Sequence, residues 1–268
     1  MNDSTPTALR GVPIFPFDSV AFPGSLVPMN IFEDRYKAMV KKVLVERERF
    51  GISLIREGRM ERGPLGTPHA VGTLVRIVQI EEQPNGNYHL LARGEDRFRI
   101  TSLDRKSEPY LVADIELFPD EPAPPPALAM VGAKVAALFD EYYRKIIGLS
   151  GGWQREATPG EKTWTWDLPI LADRQNNMME SRRLGLGETE QLQKLNLPSL
   201  PEDPSTLSFI VASELSLGAD VKQDLLEAPS VLARMQREAE VLTREIPLLE
   251  ERLKLQNRQR FSGFGLAN

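Results

Sequence analysis

The sequence of 268 residues contains no cysteine and only two histidines, His69 and His89. The absence of cysteine excludes disulfides, thiolate zinc sites, iron–sulfur clusters and cysteine nucleophiles. Neither histidine belongs to a zinc-binding motif, and zinc rarely accepts oxygen ligands alone. A Walker A loop is also missing, since Glu161 separates the glycine and lysine of the nearest candidate, GEKT. We therefore expect no metal, no cofactor and no catalytic residue.

Long apolar runs and excess positive charge are also lacking. No stretch approaches 18 consecutive apolar residues, and the polar start MNDSTPTALRG lacks the apolar segment of a secretory signal. The formal net charge of −5 disfavours a general nucleic-acid or anionic lipid surface. These absences predict a protein of the cytoplasm or another reducing soluble compartment, with neither membrane nor nucleic acid among its partners.

Proline, by contrast, is abundant. Five of the 21 prolines lie in PDEPAPPP, residues 119–126. Such a run favours extended polyproline geometry and interrupts helices and sheets. We interpret it as a spacer between a first lobe, residues 1–118, and a second lobe, residues 127–260, followed by a tail, 261–268.

The first lobe is predicted to consist mainly of strands. Short β-branched segments recur, and a Pro-Asn-Gly turn at residues 84–86 indicates a hairpin. One helix is predicted over residues 31–48, where apolar residues have helical spacing. We expect a curled, mostly antiparallel sheet or partial barrel. Gly24, Gly72 and Gly94 are expected at turns or close backbone contacts.

The second lobe is predicted to be helical. Helices are expected at residues 127–147, at 207–217 with Ser205 as N-cap, and at 220–226. A heptad seam follows in residues 232–253, interrupted by Pro247. The seam indicates either a coiled coil or the last helix of a bundle; we favour the bundle, and expect a monomer or a weak homodimer through this helix.

Residues 150–203 form an insertion in the helical lobe. It contains all three tryptophans in a polar, glycine- and proline-containing context: Trp153, Trp164 and Trp166. Large aromatic residues in such a segment either contact a partner or cover the bundle. Both interpretations remain open, and we include the three residues among the candidate protein-binding positions.

Several short motifs resemble the LON domain, the amino-terminal substrate-recognition module of Lon-type ATP-dependent proteases. They are PIFPF at 13–17, FPG at 22–24, IFEDRY at 31–36, GTLVRI from 72, NGNYHLLARG from 85, DRFRI at 96–100 and the helical segment 208–235. Each is short, but together they occur in the order and spacing of that family. The resemblance covers roughly residues 12–117 and 207–253.

The resemblance implies an α+β fold, in which a PUA-like, mostly antiparallel β lobe precedes an α-helical bundle lobe. It also implies capture of protein or unfolded polypeptide. Because the sequence lacks an ATPase motif and a protease serine motif, we expect a stand-alone, non-catalytic recognition or adaptor module linked to protein quality control. We place its binding groove between sheet and helices, with three residues near the rim: Phe17, Phe22 and Pro23.

Two alternative functions stay open. A PUA-like fold suggests RNA binding, for which four arginines offer a small basic patch: Arg93, Arg97, Arg99 and Arg105. Fold alone is weak support for that function. The other alternative is a cryptic peptidase that uses a Ser-Lys pair.

Overall fold

The computed structural model describes residues 8–46, 49–57, 66–149 and 200–262, without the side chains of 57, 148 and 257–262. The chain divides into two compact units. We call the first, Met1–Leu128 with Asp203–Met235, the barrel unit, and the second, Ala129–Glu202 with Gln236–Asn268, the helical unit. Across the described ranges, the helices are too short or too polar to cross a bilayer.

Seven strands form the sheet of the barrel unit. They are β1 (Ala8–Phe17), β2 (Leu26–Ile31), β3 (Phe50–Glu57), β4 (Thr67–Pro68), β5 (Val71–Glu82), β6 (Tyr88–Asp104) and β7 (Leu111–Leu117). The strand order is β1-β7-β6-β5-β3-β4, and these neighbours pair in antiparallel fashion. A parallel pairing of β1 with β3 closes five of the strands into a barrel. The expected mostly antiparallel, curled sheet is therefore present.

Two glycines allow the barrel wall and its neighbouring turn to pack closely. A Cβ atom on Gly51 would lie 2.7 Å from Phe98, whose ring is fully buried. A Cβ on Gly94 would collide with the carbonyl oxygen of Phe22. The Gly94 backbone is held there by hydrogen bonds of 2.9 Å with Ser25 and Gly24. The close approach expected at Gly94 is thus observed.

The first helix is shorter than predicted. Residues 26–31 form β2, paired with the first half of β6, and the helix α1 spans Asp34–Glu46. It begins where the Glu33 carbonyl accepts hydrogen bonds from the N–H groups of Tyr36 and Lys37. The expected start at residue 31 is wrong because Ile31 pairs with Tyr88 in the sheet.

Four further helices lie within residues 66–149 and 200–262, the rest of the described chain: α2 (Pro125–Leu149), α3 (Pro204–Glu214), α4 (Ala219–Leu226) and α5 (Val231–Ser262). Helix α2 begins inside the proline run, because proline is tolerated in a first turn. The N-cap of α3 is Asp203, whose carboxylate accepts a 2.8 Å hydrogen bond from the Thr206 N–H. The expectation of Ser205 as N-cap is therefore wrong.

Helices α3 and α4 pack on the barrel. Phe22 and Val71 of the barrel form one buried cluster with four residues of these helices: Phe209, Ala212, Leu225 and Leu226. The compact units therefore divide the chain differently from the predicted lobes, which assigned all of residues 127–260 to one helical body.

The helical unit contains most of α2 and α5. Lys145 of α2 donates a 2.7 Å hydrogen bond to Glu250 of α5. Four of the five seam residues of α5 in this unit are buried within the single chain, Ala239, Leu242, Ile246 and Leu249, and the fifth, Leu253, is half-buried. Their burial favours the bundle interpretation, and the weak homodimer stays a prediction. Most of the 150–203 insertion lies outside the described residues, as does the end of the tail.

Candidate functional site

A cleft of about 310 Å³ opens in the barrel unit. We call it the α3 cleft, because one wall is the start of α3 and the other is formed by β6 and by residues flanking the strands. Its lining residues are Pro23, Gly24, Glu95, Asp96, Arg97, Phe118, Pro119, Asp120, Ser205, Thr206 and Phe209. Four separate chain segments thus meet around one concave surface.

Arg97 lines this cleft with a guanidinium that is almost entirely buried. Its Nη1 donates to the carbonyl oxygens of Leu226 at 2.6 Å and Ala228 at 2.7 Å, and its Nη2 donates to Asp120 Oδ1 at 2.8 Å. These bonds fix the end of α4 against β6. Such charge-assisted bonds offset part of the cost of burying the cation.

A second arginine approaches the same carboxylate from α5. Arg234, which has no exposed surface, donates from both Nη atoms to the two oxygens of Asp120, at 3.0 and 2.9 Å. Its Nε donates to the hydroxyl of Ser208 at 2.9 Å. One carboxylate in the proline-rich segment therefore forms ion pairs with two buried guanidinium groups.

Burial also changes the acidity of Arg97. It lowers the pKa of Arg97 to about 10; Asp120 opposes this change, while Arg234 and Arg99 add to it. Burial is therefore the main reason why the charged form of Arg97 is less favourable here than in water.

Aromatic rings contact the guanidinium groups. The Arg97 and Arg99 guanidiniums lie 4.4 and 4.6 Å from the centroid of the Phe118 ring. The guanidinium of Arg234 lies 3.8 Å from the ring centroid of Phe209. These distances are within the range of cation–π attraction.

The acidic side chains of the cleft have partners of their own. Glu95 accepts a 2.7 Å hydrogen bond from Arg76 and a 3.4 Å bond from Arg49, which also contacts Asp96 at 3.1 Å. Burial alone would raise the pKa of Glu95, but the two arginines outweigh it and lower that pKa. The two carboxylates are thus paired with arginines at the edge of the cleft.

The predicted rim residues have different places. Pro23 lines the α3 cleft, as expected of a groove between the sheet and a helix. Phe22 is fully buried in the cluster with α3 and α4, so its side chain offers a partner no surface and its expected rim position is corrected. Phe17 is partly buried against the main barrel core, apart from the cleft lining. The tryptophans Trp153, Trp164 and Trp166 lie outside the described residues, and their contact role stays a prediction.

Neither alternative function gains support from the described side chains. Of the four arginines of the expected basic patch, Arg97 is buried in the carboxylate cluster and Arg99 stacks on Phe118. In the barrel unit, Lys222 donates to the carbonyl of Ser213, whose hydroxyl donates to the Ile210 carbonyl. A peptidase pair would require the serine hydroxyl to donate to a neutral lysine amine.

Comparison with known proteins identifies similar sequences over most of the chain. A family model described as the ATP-dependent protease La (LON) substrate-binding domain matches residues 11–244. The Lon protease of Syntrophus aciditrophicus is 25% identical over 251 residues, 92% of this chain and 26% of that protein. The Lon protease of Anaeromyxobacter dehalogenans is 26% identical over 252 residues, 92% of this chain and 24% of that protein. The chain thus spans about a quarter of the length of these relatives.

Solved structures with the same fold are similar over most of their length. The Lon N-terminal domain protein from Xanthomonas campestris has a TM-score of 0.51 and 20% identity, and the match covers 86% of this chain and 96% of that one. The N-terminal domain of the Mycobacterium avium complex Lon protease has a TM-score of 0.52 and 18% identity, with coverage of 88% and 98%. These similarities confirm the α+β fold.

Proposed function

Because the chain belongs to the LON substrate-binding domain family, we propose that it is a non-catalytic recognition or adaptor module that binds unfolded polypeptide in the α3 cleft. The observation that carries this proposal is the family match over residues 11–244. By analogy with its relatives, named as proteases, the module serves proteolysis or protein quality control. The location of the protein in the cell stays a prediction.

The composition of the α3 cleft supports a peptide as its ligand. Its volume of about 310 Å³ suits part of a chain rather than a large cofactor, since ligand pockets commonly have about 300–1,000 Å³. Pro23, Phe118 and Phe209 offer apolar surface, while Ser205 and Thr206 offer polar atoms from α3. Such a mixture can contact side chains and peptide groups together without forming a site for one small molecule.

Filling the cleft should weaken binding. In Thr206→Trp, a bulky side chain replaces an exposed residue of the lining, and we expect the affinity for fluorescein-labelled β-casein, an unfolded polypeptide, to fall by about tenfold because one anchoring contact is lost. Fluorescence anisotropy measures the dissociation constant. Thr101→Trp places the same side chain at an exposed position of β6 outside the lining and should bind as the unmodified protein does. Equal affinities of the two variants would show that the polypeptide does not bind in the α3 cleft.

The same casein tests the absence of catalysis. We expect the labelled chain to stay intact during long incubation with the protein, with or without ATP, as judged by gel electrophoresis. Lon-type activity requires ATPase and protease motifs that this sequence lacks. Fragments that accumulate in proportion to protein concentration would contradict the proposal.

A further inference from the structure

Three guanidinium groups lie near the Phe118 ring or the carboxylate of Asp120. Those of Arg97 and Arg99 contact the ring, and those of Arg97 and Arg234 bond to Asp120. Oδ1 of Asp120 accepts hydrogen bonds from Arg97 and Arg234, and Oδ2 accepts from Arg234 and from a serine hydroxyl. This carboxylate therefore has no capacity for a further cation.

Asp120 is the acidic side chain that bonds to Arg97 in the described contacts, although other acids lie nearby. Glu95 and Asp96 form ion pairs with Arg49. The carboxylate of Asp203 is engaged as the N-cap of α3, accepting from the backbone N–H and the hydroxyl of Thr206. Although Glu116 lies opposite Arg99 in the β6–β7 register, the Arg99 guanidinium stacks on the Phe118 ring.

Arg97 retains donors that can face a ligand. A guanidinium has five N–H groups. The observed bonds use two on Nη1, to Leu226 and Ala228, and one on Nη2, to Asp120. The residue lines the cleft, so an anion entering it would meet a buried cation in surroundings where charge interactions are strong.

We infer that the α3 cleft recognises a carboxylate of the bound polypeptide, either its C-terminal carboxylate or that of an aspartate or glutamate side chain, through Arg97 with support from Arg99. The inference rests on the proposed function and deepens it. Carboxylate fits the site because its planar pair of oxygens matches the guanidinium fork.

Three fluorescein-labelled peptides test this inference with the full chain. The first is a short alanine–leucine peptide with a free C-terminus, the second is its C-terminal amide, and the third is that amide with an internal glutamate. We expect at least one of the two carboxylate peptides to bind about tenfold tighter than the plain amide, since hydrogen bonds to charged groups are the stronger ones. The tighter of the two identifies the source of the carboxylate.

Substitutions at two arginines of this region, with a third as control, show where the preference for carboxylate originates. Arg97→Gln should abolish the preference for carboxylate, but it also removes bonds that hold α4, so a loss of binding in this variant alone does not separate recognition from folding. Arg99→Gln avoids this difficulty because Arg99 is exposed, and it should reduce the preference by about threefold. Arg10→Gln, an equal charge change at an exposed position of β1 outside the cleft, should leave the preference unaltered.

The outcomes separate the inference from the proposed function. Equal affinity for the three peptides would overturn the carboxylate inference and leave peptide binding intact. Failure of all three peptides and of β-casein to bind would overturn both. An equal loss of preference in Arg99→Gln and Arg10→Gln would show a general charge effect, and would also overturn the inference.

Discussion

Asp120 joins parts of the chain that are distant in sequence. Its carboxylate contacts guanidiniums 23 residues before it and 114 residues after it. The segment that contains it lies between the last strand and α2, so a proline-rich connection supplies the counterion for the interface between barrel and helices. The cluster is buried, and its members depend on each other for charge compensation.

Replacing Asp120 by asparagine should be strongly destabilising. Asp120→Asn keeps the shape but leaves two buried guanidiniums without a counterion, and breaking such a buried pair costs about 3–5 kcal/mol. Urea unfolding followed by circular dichroism measures the loss. The matched control is Glu108→Gln, which breaks an exposed ion pair with Lys42 and should cost at most about 1 kcal/mol. Similar losses in the two variants would mean that Asp120 contributes no more than a surface charge.

Single residues were the hardest features to predict from sequence. Alternation along β6 correctly indicates a strand, yet it placed Arg97 with Arg99 in one basic patch. The structure buries the first and exposes the second. The difference arises from Asp120 and Arg234, and no local pattern links these residues to Arg97. The alternation of residues along a strand does not reveal charge compensation between distant segments.

At the scale of elements, helix α3 has the most direct relation to the cleft, because its first turn forms one wall. Its N-cap, Asp203, bonds to Thr206, and these bonds lower the pKa of the Asp203 carboxyl, chiefly through the Thr206 hydroxyl and then through the backbone N–H. An ionised cap at this end also interacts favourably with the helix dipole.

Asp203→Ala should reduce stability in a pH-dependent way. At neutral pH we expect a loss of about 1 kcal/mol, the usual value of an N-cap. Because folding lowers the pKa of this carboxyl, its contribution is complete above the unfolded value of about 3.9 and disappears as the pH falls through the folded value. The difference from the unmodified protein should therefore shrink below about pH 4 in urea unfolding.

Asparagine provides the control for this position. Asp203→Asn keeps an effective N-cap without a titrating group, so its stability at neutral pH should lie within about 0.5 kcal/mol of the unmodified protein. A pH-independent loss in Asp203→Ala would show that the charge of the carboxylate contributes nothing.

Elements themselves were predicted well where the pattern was long. The heptad spacing from Leu232 and the β-branched runs of the first lobe correspond to α5 and to strands of the barrel. Boundaries failed where a contact elsewhere in the fold decided them. Ile31, predicted to begin the first helix, instead pairs with Tyr88 of β6, and Asp203 rather than Ser205 accepts the capping bond.

At the scale of the whole molecule, the barrel unit is discontinuous in sequence. Residues 1–118, predicted as a separate lobe, end before α3 and α4 supply the partners of Phe22 and Val71. They also end before Asp120 and the two carbonyl oxygens that accept from Arg97. The sequence did not reveal this arrangement, because the proline run suggested a boundary where the structure has a connection.

A chain of residues 1–118 alone should therefore fail to form a stable fold. It would expose the apolar surface of Phe22 and lose the hydrogen bonds of Arg97, and such losses are large relative to the typical stability of a small domain, about 5–15 kcal/mol. We expect poor dispersion of its amide NMR signals and strong binding of an apolar dye. Linking residues 1–128 to 203–235 with a glycine–serine segment should restore dispersed signals. A well-folded 1–118 chain would contradict this account.

The same arrangement has a consequence for synthesis on the ribosome. About 75 residues separate the two parts of the barrel unit. At roughly 5–20 residues per second, synthesis of the second part, which contains α3 and α4, therefore begins about 4–15 s after the first part is complete. During that interval the nascent chain presents an incomplete apolar surface around Phe22 and an unpaired Arg97. Native assembly of this unit thus requires that residues 203–235 have been synthesised, and the nascent first part itself resembles the kind of unfolded client that we propose the finished protein to bind.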